Sequence, residues 1–308
     1  MRLVAFALAA LAALPALAED KAEIKVNVKK GLKFTRTSSA TAEGKCMLGG
    51  GGGGFALSFD IKMAASLKSV EEILDAKSGA PVHLRRWYPE RRADFNLGPM
   101  FGGEQTQNHP LEGADITLGP GDTRGATNAG SKLDEDLLKK EPLGDPLTAA
   151  IASGKVVSVG NTWDGDKDKT KVWLETEFPG FEATEVEMQC KLGEIRDKDG
   201  LKCARVEIDL TAKGKIAVQG APSSEVTITL KGDVFWGLDS GIVVNVKADG
   251  KIKGDLDVKV QQGESKLKID LTLEWRTAVK LGEADFTGAK PVDKPKPVKP
   301  EYYPQPLR

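Results

Sequence analysis

The chain has 308 residues, with 44 Lys+Arg against 45 Asp+Glu and a formal net charge of -1. That length allows one large or two modest domains, and the even charge removes the basic footprint of most nucleic-acid binders. With two His and three Cys, a His/Cys-rich metal centre has almost no ligands to draw on.

Residues 1–18 read MRLVAFALAALAALPALA. One Arg, an apolar run, Pro15 and the small-x-small end Ala16-Leu17-Ala18 make the pattern of a secretory signal peptide cut after Ala18. The run from Leu3 to Leu14 is about half the roughly 20 residues that a membrane span needs. Glu19 and Asp20 come after the cut, and the lack of a Cys there argues against a bacterial lipoprotein. No second long apolar run exists, so the mature chain is expected to be periplasmic or secreted and not membrane-spanning.

Strand signals dominate the mature chain. Ile24, Val26 and Val28 alternate with charges, as do Phe55, Leu57, Phe59, Ile61 and Met63. Six glycines, Gly49–Gly54, precede the second run. Their ordering cost is high, so they are expected at a mobile hairpin tip. A broken pattern over 66–75 and 81–94 flanks the turn Lys77-Ser78-Gly79-Ala80-Pro81. Pairing across that turn sets Arg85 opposite Glu72 and Arg86 opposite Glu71. Arg85, Arg86, Arg91 and Arg92 with Trp87 and Tyr88 could instead bind an anionic headgroup or a nucleic-acid strand. Export and even charge weigh against the nucleic acid. His83 reads as a solvent-face strand residue.

Residues 97–130 hold Gly98-Pro99, Gly102-Gly103 and Gly119-Pro120-Gly121 with no apolar period. They are either a functional flap or a linker, and His109 falls there with no acid or thiol beside it. Residues 131–153 read as helical, with Ser131 as a cap, Leu133, Leu137 and Leu138 on one side, Pro146 at a first helical position and Gly154 as a stop. Such short helices need packing on a sheet. Asp164, Asp166 and Asp168 could converge on a hard cation, with Glu175 at the twelfth position of a calcium loop. Lys169 replaces the turn glycine, however, and no helix is expected on either side, so a solvated turn is the simpler reading.

From 186 onward the segments 186–192, 204–210, 226–230, 242–246, 256–260 and 267–275 alternate, with turn signals at Asp199-Gly200, Lys213-Gly214, Asp239-Ser240-Gly241, Asp249-Gly250 and Gln262-Gly263-Glu264. This is an antiparallel meander with one apolar and one charged face. Matching the apolar faces puts Cys190 towards the core and Cys203 on the opposite side, so these two should not bond unless a bulge intervenes. A bridge to Cys46 stays open, and small buried thiols are the favoured reading. Trp163, Trp173, Trp236 and Trp275, with Phe178, Phe181 and Phe235, are either core or the lining of an apolar pocket. Ser265 and Lys268 have Ser/Lys spacing but would point to opposite faces of a strand. No nucleophile elbow, phosphate loop or metalloprotease motif is present. Residues 287–308, rich in Pro and Lys, read as an extended tail, either solvated or a dock for an envelope partner.

The layout resembles exported bacterial proteins of unknown function. The segments that carry the likeness are Ser69–Asp75 running into Pro81–Tyr88, and Val157–Trp163 with the meander from there to Phe286. The organisation is similar to the lipoprotein-carrier (LolA-like, LppX-like) half-barrels, in which a curved sheet lidded by helices holds acyl chains. The resemblance rests on pattern and brings no site residue with it. The flap and the tail depart from it. The expected fold is therefore mainly β, a large curved antiparallel meander (half-barrel or sandwich) over 19–286 with one or two short helices as a lid. The expected function is a non-enzymatic envelope protein that binds a lipid or other apolar ligand in the concave face. The alternative is a structural or interaction module without a small-molecule ligand. No catalytic residue, metal or cofactor is expected.

Overall fold

The computed structural model describes residues 21–49, 56–96, 103–120, 125–126, 135–178, 180–216, 224–260 and 263–289. The signal segment, most of the glycine run and nearly all of the tail lie outside these residues. So do parts of the 97–130 flap and the Ser131 cap.

A short strand β1 (Lys21–Glu23) pairs with β8 (Val156–Ser158) in a small separate sheet. The main sheet has twelve strands. Its long members are β2 (Lys33–Gly49), β3 (Ala56–Lys77), β4 (Ala80–Asn96), β10 (Phe181–Lys198), β11 (Leu201–Ile216), β12 (Ser224–Gly237), β13 (Ile242–Val260) and β14 (Gly263–Leu281). Its short members are β5 (Glu104–Asn108), β6 (Asp115–Leu118), β7 (Gly125–Ala126) and β9 (Thr162–Asp164). The order is β7-β6-β4-β3-β2-β14-β13-β12-β11-β10-β9, with β5 also on β4. Every pairing in it is antiparallel. The last strand of the meander, β14, returns to pair with β2. The two edges, β7 and β9, do not meet, so the sheet stays open.

Several strands are longer than their sequence signals. Lys213-Gly214 and Asp249-Gly250 carry turn signals but lie inside β11 and β13, whereas the signal at Gln262-Gly263-Glu264 falls where β13 passes into β14, with Val260 paired to Gly263. The reason is close packing. Gly250 sits opposite Leu230 and Leu273, and a side chain there would collide with the Thr229 carbonyl oxygen. These glycines are small residues inside a sheet and not turn formers. Ser78-Gly79 and Asp199-Gly200 are turns in which both residues have positive φ (53° and 81°, 52° and 78°), as a two-residue hairpin turn requires, and Asp239-Ser240-Gly241 turns between β12 and β13 as expected. The expected strand at 24–28 is also corrected. Residues 24–29 are irregular, yet Ile24 and Val28 are buried.

One side of the sheet is covered by two helices. Helix α2 (Pro146–Ile151) is capped by Asp145, whose carboxylate accepts from the Leu147 and Thr148 N–H groups. Helix α3 (Lys167–Glu177) is capped by Asp166, which accepts from the Lys169 N–H at 3.0 Å. It buries Thr170, Trp173 and Leu174, an i, i+3, i+4 stripe. Trp173 packs on Trp275 of β14 with ring centroids 4.9 Å apart. A third helix, α1 (Glu135–Lys140), buries Leu138. Part of the 131–153 segment is thus the expected lid. Helix α3 is a further lid element, where the charged pattern of 164–171 suggests only a turn.

The flap reading is corrected in part as well. Residues 104–108 and 115–118 are strands on β4. Cys46, Cys190 and Cys203 are buried and free, and burial pushes their thiols up to about 11, 12 and 11. A bulge at Leu192/Glu194 does intervene between β10 and β11. Even so, Cys190 packs in the cluster under the helices and Cys203 in a separate one.

Candidate ligand-binding site

The covered face of the sheet has an uneven floor. Across the strands, Ile208, Gly232, Ala248, Trp275, Ala40, Ala65 and Ala93 are successive neighbours in one row. The next row contains Leu210, Leu230, Gly250, Leu273, Ala42 and Met63. The first row ends on the β2–β3–β4 side in three alanines, Ala40, Ala65 and Ala93, while Met63 stands in the second row there. Where the floor is alanine and the helices end, space is left.

That space forms two adjoining chambers. The apolar chamber, about 600 Å³ with part of it open to solvent, is bounded by Phe178 and Phe181 at the end of α3, by Ile216 and Val226, and by Met63 and Ala65. The polar chamber, about 560 Å³ and likewise partly open, has Ser38, Arg91, Arg92, Gln107, His109 and Glu177 among its walls. Ala40, Ala65, Ala93 and Glu177 belong to both. Ala93 of β4 and Ile216 of β11 are six strand spacings apart in the sheet order, about 29 Å on a flat sheet at roughly 4.8 Å per strand. Both line one chamber, so the sheet curls and the chamber lies in its concave side.

A buried ionic network holds the polar end. The Glu71 carboxylate accepts from Arg86 Nη2 at 3.0 Å and from Ser69 Oγ at 3.0 Å. Glu141, just past α1, accepts from Arg91 Nη1 at 2.5 Å, from the Tyr88 hydroxyl at 2.6 Å and from Arg86 Nη1 at 3.4 Å. Arg86 also donates to the Pro142 and Gly144 carbonyls. Arg36 Nη1 lies 2.7 Å from Asp145 Oδ1. Three guanidiniums thus meet three carboxylates, and the network ties β2, β3 and β4 to the lid. Burial by itself would raise the Glu141 carboxyl. The guanidiniums of Arg91 and Arg86 more than offset this and hold it below the usual carboxylate range. Burial likewise works against Asp145, and Arg36 with Thr148 brings it below its ordinary value.

Burial shifts two titratable groups in the chamber walls in opposite directions. Burial raises the Glu177 carboxyl; Arg36, the Ser38 hydroxyl and Arg91 pull the other way without reversing it. Ser38 Oγ donates to Glu177 Oε2 at 3.0 Å and accepts from Trp275 Nε1 at 3.1 Å. Burial, and then the Arg91 charge, pushes His109 down to about 4. Its Nδ1 accepts from the Leu111 N–H at 3.1 Å, so the neutral ring carries its proton on Nε2.

The Glu177 shift has a measurable sign. Folding keeps a proton that the unfolded chain releases at about pH 4.3, so stability falls as pH rises above that value. Glu177→Gln removes the loss. Its melting temperature should exceed that of the unsubstituted protein near pH 8 and match it near pH 4. A difference of equal size at both pH values would contradict the assignment.

The structure disperses most of the sequence-derived candidates. Arg86 pairs with Glu71 as expected, in the expected register. Arg85 lies opposite Glu72, but its guanidinium goes to Asp115, with Nη2 2.5 Å from Oδ2, and stacks 4.1 Å from the centre of the Phe286 ring. Arg92 meets Glu90 at 3.3 Å and Asp94 at 3.8 Å. His83 stands opposite Asp75 in the β3–β4 ladder. The acidic run does not close on a cation. Asp164 is in β9, Asp166 caps α3, and Glu175 Oε1 accepts from the Ala183 N–H at 3.2 Å. No group of three potential ligands stands together among the described residues. Ser265 and Lys268 are both in β14. Trp173, Trp236 and Trp275 are core, and Phe178 and Phe181 line the apolar chamber.

Neither a family model nor a curated protein matches the chain. Among solved structures, DynF from the dynemicin biosynthesis pathway of Micromonospora chersina is similar at 10% identity over 82% of each chain, with a TM-score of 0.23. A likeness at that score carries no inference about this protein. No helix among the described residues is long and apolar enough to cross a membrane.

Proposed function

We propose that this is a non-enzymatic, exported envelope protein that holds one amphipathic molecule, its acyl-type chain in the apolar chamber and its head in the polar one. The observation that carries the reading is the joined pair of chambers on the concave side, about 600 and 560 Å³. An apolar wall with a few polar groups at one end is what ligand sites share. The alanine floor supports it further. The leader at 1–18 supports export, and the lack of a recognisable nucleophile or phosphate motif supports a binding role.

A fluorescent acyl probe titrated into protein prepared without detergent tests the proposal. Saturable uptake of one probe per chain, reversed by added dodecanol or dodecanoate, is the expected result. A linear, unsaturable signal would contradict it.

A further inference from the structure

The wall of the apolar chamber crosses the sheet on a diagonal. It starts at Ala93 on β4 and Ala40 on β2, which it shares with the polar chamber, and steps through Leu273 on β14, Ile252 on β13 and Val226 on β12 to Ile216 on β11. From β2 to β11 these strands are successive neighbours, and each residue lies further along the ladder from the Ala40 row. At the far end the packing changes. Phe181 and Ile216 are direct partners in the β10–β11 ladder, and both are wall residues. The Phe181 ring lies on the bare backbone of Gly214, where a Cβ atom would stand 2.5 Å from two ring carbons. Val226, the cross-strand neighbour of Gly214, covers Gly254 in the same way, with its Cγ1 2.7 Å from the place of a Cβ. Phe181 and Val226 are 4% and 3% exposed. Neighbouring side chains thus take the space that these two glycines leave, whereas the small side chains of Ala40, Ala65 and Ala93 border open space. The turn after α3 holds the ring in place: Gly180 has a φ of 84°, and the Phe181 N–H donates to the Phe178 carbonyl at 3.0 Å.

We infer that Phe181 and Ile216 close the apolar chamber and set the length of the chain it takes, which lies diagonally across the strands with its methyl end against the Phe181 ring. The inference rests on the proposed function above, which puts the head in the polar chamber at the other end of the diagonal. Each methylene buried along the wall strengthens binding about fourfold, the equivalent of about 0.8 kcal/mol. A methylene beyond the stop either stays in water or pushes on a packed ring, and adds nothing.

Displacement of the fluorescent acyl probe by octanoate, decanoate, dodecanoate, tetradecanoate and hexadecanoate, each below its micelle concentration, tests the assignment with one head group throughout. In the unsubstituted protein displacement should strengthen by roughly an order of magnitude per two-carbon step and then level off at one chain length. Phe181→Ala should move that limit to a longer chain. Ile216→Phe, which adds a ring at a half-buried position, should move it to a shorter one, and it keeps the assignment testable if Phe181→Ala does not fold. The melting temperature of each variant shows that it is folded. An unchanged limit in either folded variant would overturn the stop and leave chain binding standing, as would displacement that strengthens at every step up to hexadecanoate in the unsubstituted protein. Displacement by none of the series would overturn both.

Discussion

Glu141→Ala should destabilise the protein by about 3–5 kcal/mol, the loss expected when one partner of a buried charge network is removed. Glu141 is 5% exposed and serves Arg91, Arg86 and the Tyr88 hydroxyl together. Its removal strands the Arg91 guanidinium in a low-dielectric interior, where an unpaired charge is far more costly than an absent pair, and takes one of two carboxylates from Arg86, which keeps Glu71. The network also joins β4 to the segment after α1, so the lid should loosen with it. Urea denaturation read by Trp fluorescence measures the effect. Lys213→Ala is the control, since Lys213 and Glu185 form an exposed pair at 2.8 Å, and exposed pairs contribute about 0–1 kcal/mol. Equal losses from the two substitutions would mean that the buried network does not hold the lid.

Ala65→Trp should abolish measurable ligand binding and leave the protein folded. Ala65 lies between Ala40 and Ala93 in the sheet and belongs to the walls of both chambers. An indole there occupies open space instead of displacing packed neighbours, so the overpacking cost of about 1–3 kcal/mol for a filled core should be largely avoided. The fluorescent acyl probe should bind more than about tenfold more weakly, a loss above roughly 1.4 kcal/mol. Unchanged affinity in a folded variant would place the chain somewhere other than the concave side.

The fold class is legible because a long half-buried sheet writes its period into the sequence. Val186, Met188, Cys190 and Leu192 alternate cleanly and are all buried. Strand β2 is not legible, for a reason that bears on function. Its inward residues include Ser38, Ala40 and Ala42, which read as neither apolar nor charged. The same weak signal in Ala64, Ala65 and Ser66 makes β3 look broken. These positions border the two chambers, so small residues between strong strands are the trace that the candidate site leaves in the sequence. Helix α3 leaves little periodic signal because Lys167–Glu177 has only three apolar side chains, Val172, Trp173 and Leu174. Its cap Asp166 reads equally well as one of three clustered carboxylates. Glu177, His109 and Arg91 come together only through pairing across the sheet and the fold of the lid, which no local spacing records.

The most direct measurement is native mass spectrometry of the protein as purified from its producing cells without detergent, compared with Ala65→Trp treated identically. A population carrying one bound amphiphile is expected in the first and not in the second, and added dodecanoate should restore it only in the first. Bare protein in both preparations, with no uptake of dodecanoate by either, would contradict binding in the concave side.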